Sequence, residues 1–405
     1  MPRDVIAEII AYNQPGLGPD AQTAEALRRK LAALASTPFQ FFRGTFHLMA
    51  DDLFKSRVSL AQGAAPEGLI VGDLHLENFG VYRGQSGALV FDVNDFDDVG
   101  FGPVDLDLRR LCTSALLLPD VAPKVRLEVA VAVAQAWLQE LQKIGGRFPV
   151  PAWTEDKAEG PVAGLLQQSG RRTQDDLISK AAPDGERIAD SPKFAHVDQH
   201  WWDLVREAFS EYVEHLKALK APDAPKGWDV LDVAYRFKGT GSLGRMRFTL
   251  LLGQGRGRRL VELKEARPSA MDLARGRAPD RDRARVQTAA IRRLQGDPWP
   301  RVAATRLGET SALGRENEPE ERKIDGDWLA RDASDLQLYG QQCGQVLARL
   351  HARANAPVLL GADWNPEDAA RTAVEFAERY AAQVEADQKT FARSKDDAAR
   401  ALGIA

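Results

Sequence analysis

The chain is predicted to fold as an α+β protein with two lobes, on three observations. Helical periodicity dominates residues 1–220 and returns over 333–405, while runs of alternating apolar residues cluster between 228 and 332. Between the first two stretches "APDAPKG", Ala221–Gly227, breaks both patterns with two prolines and a glycine. The expected units are therefore a helical part (1–220), a β-rich part (228–332) and helices that return to the first part (333–405).

Each element follows from its spacing. Gln22–Ser36 places Leu27, Leu31 and Leu34 on one helical face. In "TPFQFFRGTFHLMADDL", Thr37 can cap and Pro38 can open a helix carrying Phe39, Phe42, Phe46 and Met49. Arg43 within it reads as a surface or helix-end charge, with anion binding as the other reading. Gly68–Gly72 reads as a short strand, and "FGVYR" with "ALVFDV" as a hairpin turned by "GQSG". Pro103–Leu118 and Lys124–Ile144 read as helices, and Pro149–Pro192 as a polar, irregular insertion. "WWDLVREAFSEYVEHLKALK" is amphipathic along Trp201, Val205, Phe209, Val213 and Leu216. Strands are expected at "WDVLDVAYRF", "MRFTLLL" and "RRLVELKEA", then a helix over Arg281–Gln295. "LQLYGQQCGQVLARLHARA" and Pro366–Gln388 close the chain as helices.

Composition narrows the functional classes. A net charge of −4 over 405 residues gives no general attraction to nucleic acid or to anionic membranes. Two cysteines, Cys112 and Cys343, exclude a disulfide framework and a cysteine zinc site. No apolar run approaches the ~20 residues of a membrane span, and the first residues lack a secretory apolar core. A cytoplasmic location is the expectation.

The chemistry is carried by two acidic segments. In "VGDLHLENFG", Asp73 precedes Asn78 by five positions on a loop that runs into a strand. Asp-x-x-x-x-Asn is the spacing of phosphoryl-transfer loops, where the Asp orients the acceptor hydroxyl and the Asn amide oxygen suits Mg²⁺. A second acidic ligand is expected across the hairpin, in "FDVNDFDDVGFGP". Either segment alone reads as a solvated turn; on adjacent strands they read as a site. Far downstream, "GTGSLGRMRF" sets Gly239, Gly241, Ser242 and Gly244 between two strands, and "LVELKEA" sets Lys264 within a third. A lysine in an apolar strand is costly without an anion. A strand–loop–strand setting suits a phosphate-covering loop better than a dinucleotide fold, whose glycines lead into a helix.

These residues resemble the "HGDLHPGN…IDFDDAGIGDPxxDLA" of the aminoglycoside-phosphotransferase and choline-kinase branch of the kinase-like superfamily. The resemblance implies a two-lobed protein-kinase-like fold that uses ATP and Mg²⁺. It gives Asp73 the catalytic position, Asn78 and Asp95 the metal, and Asp107 the structural place of "DLA". Asp92 is the second candidate metal ligand, because it lies fourteen residues after Asn78 whereas Asp95 lies seventeen after it. The histidine that usually opens "HGD" is replaced by Val71. "YGQQCGQVLARLHA" resembles the helix that ordinarily comes before the catalytic loop, and here it comes near the end. The order of parts therefore implies a circular permutation. The chain also resembles a DUF2252-like family of bacterial domains of unknown function, through "TPFQFFRGT", "VGDLHLENFG", "FDVNDFDD", "GTGSLG" and "LKEA". That likeness spans about Thr37 to Ala354.

One departure concerns the lysine. In protein kinases the strand lysine pairs with a glutamate on the following helix. Here that helix offers only Asp282, so Lys264 is expected to meet Asp282 or phosphate alone. Glu262 and Glu265 are expected on the opposite strand face. The leading expectation is an ATP- and Mg²⁺-dependent phosphotransferase with a small-molecule acceptor of unspecified identity. The alternatives are a pseudokinase or nucleotide-binding regulator, transfer of AMP, and a dimetal phosphoesterase built on the six histidines. "HVDQH", with His196 and His200, reads as surface, and His75 as a hydrogen-bonding loop residue.

Overall fold

In a computed structural model of the chain, residues 3–14, 18–55, 65–277, 282–324, 332–359, 361 and 364–404 are described. The fold is α+β. It opens with α1 (Val5–Tyr12), α2 (Asp20–Ser36), α3 (Pro38–Gly44) and α4 (Phe46–Phe54). Thr37 caps α3 as its sequence suggests, accepting from the Gln40 amide at 3.1 Å. The single helix expected from Thr37 is two, because the backbone at Thr45 leaves helical values (φ −132°, ψ 36°).

Next come β1 (Glu67–Ile70), β2 (Phe79–Arg83), β3 (Leu89–Val93) and β4 (Gly100–Pro103), then α5 (Leu106–Leu116) and α6 (Pro123–Ile144). The expected hairpin is β2–β3, with Phe79 opposite Val93 and Arg83 opposite Leu89. β1 pairs instead with β4, a partner that the sequence reading lacked. The insertion expected to be irregular contains α7 (Gly160–Gly170) and α8 (Gln174–Ala181). Thr173 and Asp176 close a capping box on α8, and Val162, Leu165 and Leu166 bury one face of α7.

The β-rich lobe consists of β5 (Phe194–His196), α9 (Gln199–Ala218), β6 (Asp229–Arg236), β7 (Arg247–Gln254), β8 (Gly257–Glu265), α10 (Ala270–Ala274), α11 (Arg283–Leu294), β9 (Val302–Leu307) and β10 (Thr310–Asn317). Its antiparallel sheet runs in the order β5-β6-β7-β8-β10-β9. Val205, Phe209, Tyr212 and Leu216 of α9 pack against Phe248, Leu250 and Val261 of that sheet. The break at Ala221–Gly227 lies between α9 and β6. The chain returns through β11 (Arg322–Lys323), which pairs with β2, into α12 (Ala333–Leu359), α13 (Pro366–Arg393) and α14 (Lys395–Ala401).

The helical lobe is built on α12 lying against α6. Their approach is set by Gly344, where a Cβ would stand 2.3 Å from the Val133 carbonyl oxygen. Near the end of α12 the helix kinks at Asn355. The Asn355 side chain takes the place of a strand neighbour for β1, accepting from the Leu69 amide and donating to its carbonyl, both at 2.8 Å. Among the described residues no helix is long and apolar enough to cross a membrane.

Gly344→Val is expected to destabilise the protein by about 1–3 kcal/mol, the usual cost of overpacking a filled interface. Urea unfolding measures it, and unchanged stability would mean that α6 and α12 are less closely held than described.

Candidate active site

Residues far apart in sequence line one cleft between the two lobes: Asp73, Asn78, Asp95, Gly239, Ser242 and Lys264 among them. The cleft begins with the loop Val71–His75. Asp107, fully buried at the second position of α5, accepts from the Val71 amide at 2.8 Å and the Gly72 amide at 2.9 Å. On its other side His351 of α12 meets the same carboxylate, Nε2 to Oδ2 at 3.2 Å. Trp137 Nε1 donates to His351 Nδ1 at 3.3 Å, which leaves the His351 proton on Nε2, facing Asp107. A carboxylate and an imidazole thus fix the loop backbone without reaching the cleft.

Asp73 stands at the loop's tip. Its Oδ1 receives Arg110 Nε at 3.1 Å and Nη2 at 2.5 Å. Arg110 itself is held between the rings of Phe42 and Phe46, 3.9 and 4.7 Å from its guanidinium carbon, and donates to the Phe42 carbonyl. Burial raises the Asp73 carboxyl from an ordinary 3.8 to about 6; Arg110 pulls against this, and Asp98 and Asp95 push with it. Asn78 Nδ2 donates to the Asp73 carbonyl at 2.5 Å, so its carbonyl oxygen is the side-chain atom left for a ligand.

The two candidate acids of the hairpin separate. Asp95 lines the cleft. Asp92 is turned into the protein, where its carboxylate receives the Val93 and Gly296 amides and faces Arg353 at 3.5 Å. Lys264 pairs with Asp97, an acid that the sequence reading passed over. Burial alone would raise the Asp97 carboxyl, but Lys264 and then Arg245 outweigh it and hold it below the usual range. The expected partner, Asp282, lies instead near Arg285 and Arg306. α11 reaches the same segment by another route: Arg283 donates to the carbonyls of Asp97 and Val99, and Gln287 to that of Asp97. Glu262 lies on the same strand face as Lys264, not the opposite one, since residues two apart share a face. Its partners are Arg247, at 2.6 Å, and Arg236, at 3.3 Å.

The glycine loop, between β6 and β7, closes the cleft from above. Gly239 and Gly244 have φ of 75° and 86°, values that favour glycine. A Cβ on Gly241 would lie 3.6 Å from Asp73 Oδ2, so the loop sits directly over the acid. It is held there by α2: buried Lys30 donates to the Gly241 carbonyl at 2.7 Å, and Leu27 fills the space beside Gly244. Burial pushes the Lys30 ammonium well below its ordinary range. Arg43, of two readings at the sequence level, lines the cleft, paired with Glu77 at 2.7 Å and against His75 Nε2 at 3.3 Å.

The histidines do not converge. Among the described residues no three His, Cys, Asp or Glu side chains are grouped to hold a metal by themselves. Mg²⁺ ordinarily takes one or two protein oxygens and completes its shell with water and phosphate. The Asn78 amide oxygen and the Asp95 carboxylate fit that donor set. Beside them, buried Asn94 has neither amide atom hydrogen-bonded.

Residues 22–394 match the family described as an uncharacterized protein conserved in bacteria, DUF2252, and the chain belongs to it. No curated protein and no solved structure matches.

Asp107→Ala would strip buried partners from two amides and from His351. It is expected to cost about 3–5 kcal/mol in urea unfolding, as removal of one member of a buried pair does. A loss below 1 kcal/mol would show that other contacts hold the loop.

Proposed function

We propose that the chain is a phosphotransferase of the kinase-like kind, circularly permuted, which uses ATP with Mg²⁺ and a small-molecule acceptor. The observation that carries this is the meeting of Lys264 and Asp97, 167 residues apart, beneath a glycine loop that covers Asp73. Phosphoryl transfer asks a protein for positioning and for charge opposite the phosphates, more than for covalent chemistry. Here a glycine loop joins two strands and the lysine stands on the next one, the order used by kinase-like sites. The catalytic loop precedes both in the chain, which is the permutation.

In this reading Asp73 orients the acceptor hydroxyl and takes its proton as the new O–P bond forms and the bond to the leaving phosphate breaks. Lys264 and Arg245 lie opposite the donor's phosphates. Asn78 and Asp95 would hold Mg²⁺, which neutralises phosphate charge when bound. Arg110 keeps the Asp73 carboxylate aimed, and Asp107 keeps its loop in place. A second reading, a nucleotide-binding regulator without turnover, is favoured by one observation: α11 carries no acid to meet Lys264.

ATP with Mg²⁺ is expected to raise the melting temperature, and Asp73→Asn to retain that shift while lowering phosphate transfer or ATP hydrolysis about 10²–10⁴-fold. Equal turnover in both proteins would reject Asp73 as the base. Turnover in neither, with binding intact, would favour the regulator.

A base must be ionised, so activity is expected to fall as pH drops through about 6. The same group acts on stability with a definite sign. Its folded pKa is raised, so the folded state holds the proton more tightly than the unfolded chain. The stability this contributes is present below about 4 and is lost as pH rises through about 6. Asp73→Asn should flatten that part of the stability–pH curve; an unchanged curve would contradict the assignment.

A further inference from the structure

A donor nucleotide needs a place for its base as well as for its phosphates. Ligand pockets are mostly apolar, with a few placed polar groups. The sheet face around Lys264 is the reverse. Strand register sets Arg247 and Leu313 beside Lys264, and Thr249 and Arg315 beside Glu262. Arg247 is paired with Glu262 at 2.6 Å, Arg236 meets the same glutamate at 3.3 Å, and Arg315 meets Glu321 at 3.0 Å. Arg247 and Glu262 are both buried. A base laid against this face would displace or cover buried ion pairs and leave charges unpaired, a cost of several kcal/mol.

The apolar part of the same face is already taken. Ala234, Leu251 and Leu260 are covered by Ile178, Ile188 and Phe194, from α8 and the segment that follows it. That cover is built in. β5 pairs with β6, the Ile188 amide donates to Asp232 at 2.7 Å, and Arg258 donates to the Gly185 carbonyl at 2.5 Å. At the inner wall, Phe96, Ile291 and Trp299 are buried in the main core, and Arg315 lies over the Trp299 ring at 4.4 Å. Arg315 therefore occupies a face of the Trp299 ring.

Among the described residues, the cavity lined by Lys264 and Asp73 holds about 120 Å³. Sites for drug-sized ligands run roughly 300–1,000 Å³. What lines the space is cationic as well as acidic: Lys238, Arg245, Arg247, Lys264 and Arg315 all reach it. From this we infer that the donor is selected by its polyphosphate tail and not by its base, so that inorganic tripolyphosphate and any nucleoside triphosphate are equivalent ligands. The inference rests on the phosphotransfer reading of this cleft and narrows it to a substrate class.

The test uses the wild-type full chain. Calorimetric titration with Mg²⁺ present compares tripolyphosphate, ATP, GTP, CTP and UTP, with adenosine as the base-only probe. The expected result is dissociation constants within about threefold of one another for the five polyphosphates and no heat from millimolar adenosine. ATP at least tenfold tighter than tripolyphosphate and the other nucleotides would overturn the inference while leaving the phosphotransfer reading in place. No binding by any of the five would overturn both.

Discussion

The contact on which the site depends is made by Asp107. Its carboxylate holds the backbone of the Val71–Gly72 turn on one side and the imidazole of His351 on the other. Three elements far apart in the chain are thereby joined: the end of β1, the start of α5 and the middle of α12. An aspartate with no exposure to solvent is tolerable here because two backbone amides and an imidazole donate to it. Asp73 follows directly from this anchor, since the turn that it closes presents the side chain to the cleft and to Arg110.

The cleft works by dividing charge. Acids from the hairpin and cations from the sheet face each other at close range, so each sets the state of the next. Lys264 and Arg245 keep Asp97 ionised, whereas Asp73, buried with Arg110 and with Asp95 and Asp98 close by, is left with a carboxyl that titrates near 6. Two acids on one cleft are thus pushed in opposite directions by their surroundings. The glycine loop stays in register with them because α2 holds it through Lys30 and Leu27.

Much of this was legible in the sequence, and the exceptions have physical causes. The β2–β3 hairpin, the stripe of α9 and the glycine loop follow from spacing, whereas Asp95 was set beside Asp73 and Asn78 by the resemblance of its motif, against a spacing that favoured Asp92. β4 was missed because four residues with two glycines and a proline carry no strand signal. α7 and α8 were hidden in a polar stretch, since a short run of core contacts and a capping box hold them. Glu262 was expected on the wrong face, although period two already puts it beside Lys264. The Lys264 partner was sought on a helix because a neighbouring helix usually supplies it; here the acidic hairpin does, and α11 grips that hairpin by its backbone carbonyls. Arg110 could have been flagged, as an arginine amid the apolar face of α5 must have an anion or a carbonyl to meet.

The most direct measurement of the central claim is a crystal structure with Mg²⁺ and a non-hydrolysable triphosphate. The account predicts phosphate oxygens within hydrogen-bond distance of Lys264, the metal on Asn78 and Asp95, and the terminal phosphate facing Asp73. Phosphates bound outside this cleft, or a metal held by Asp92, would contradict it.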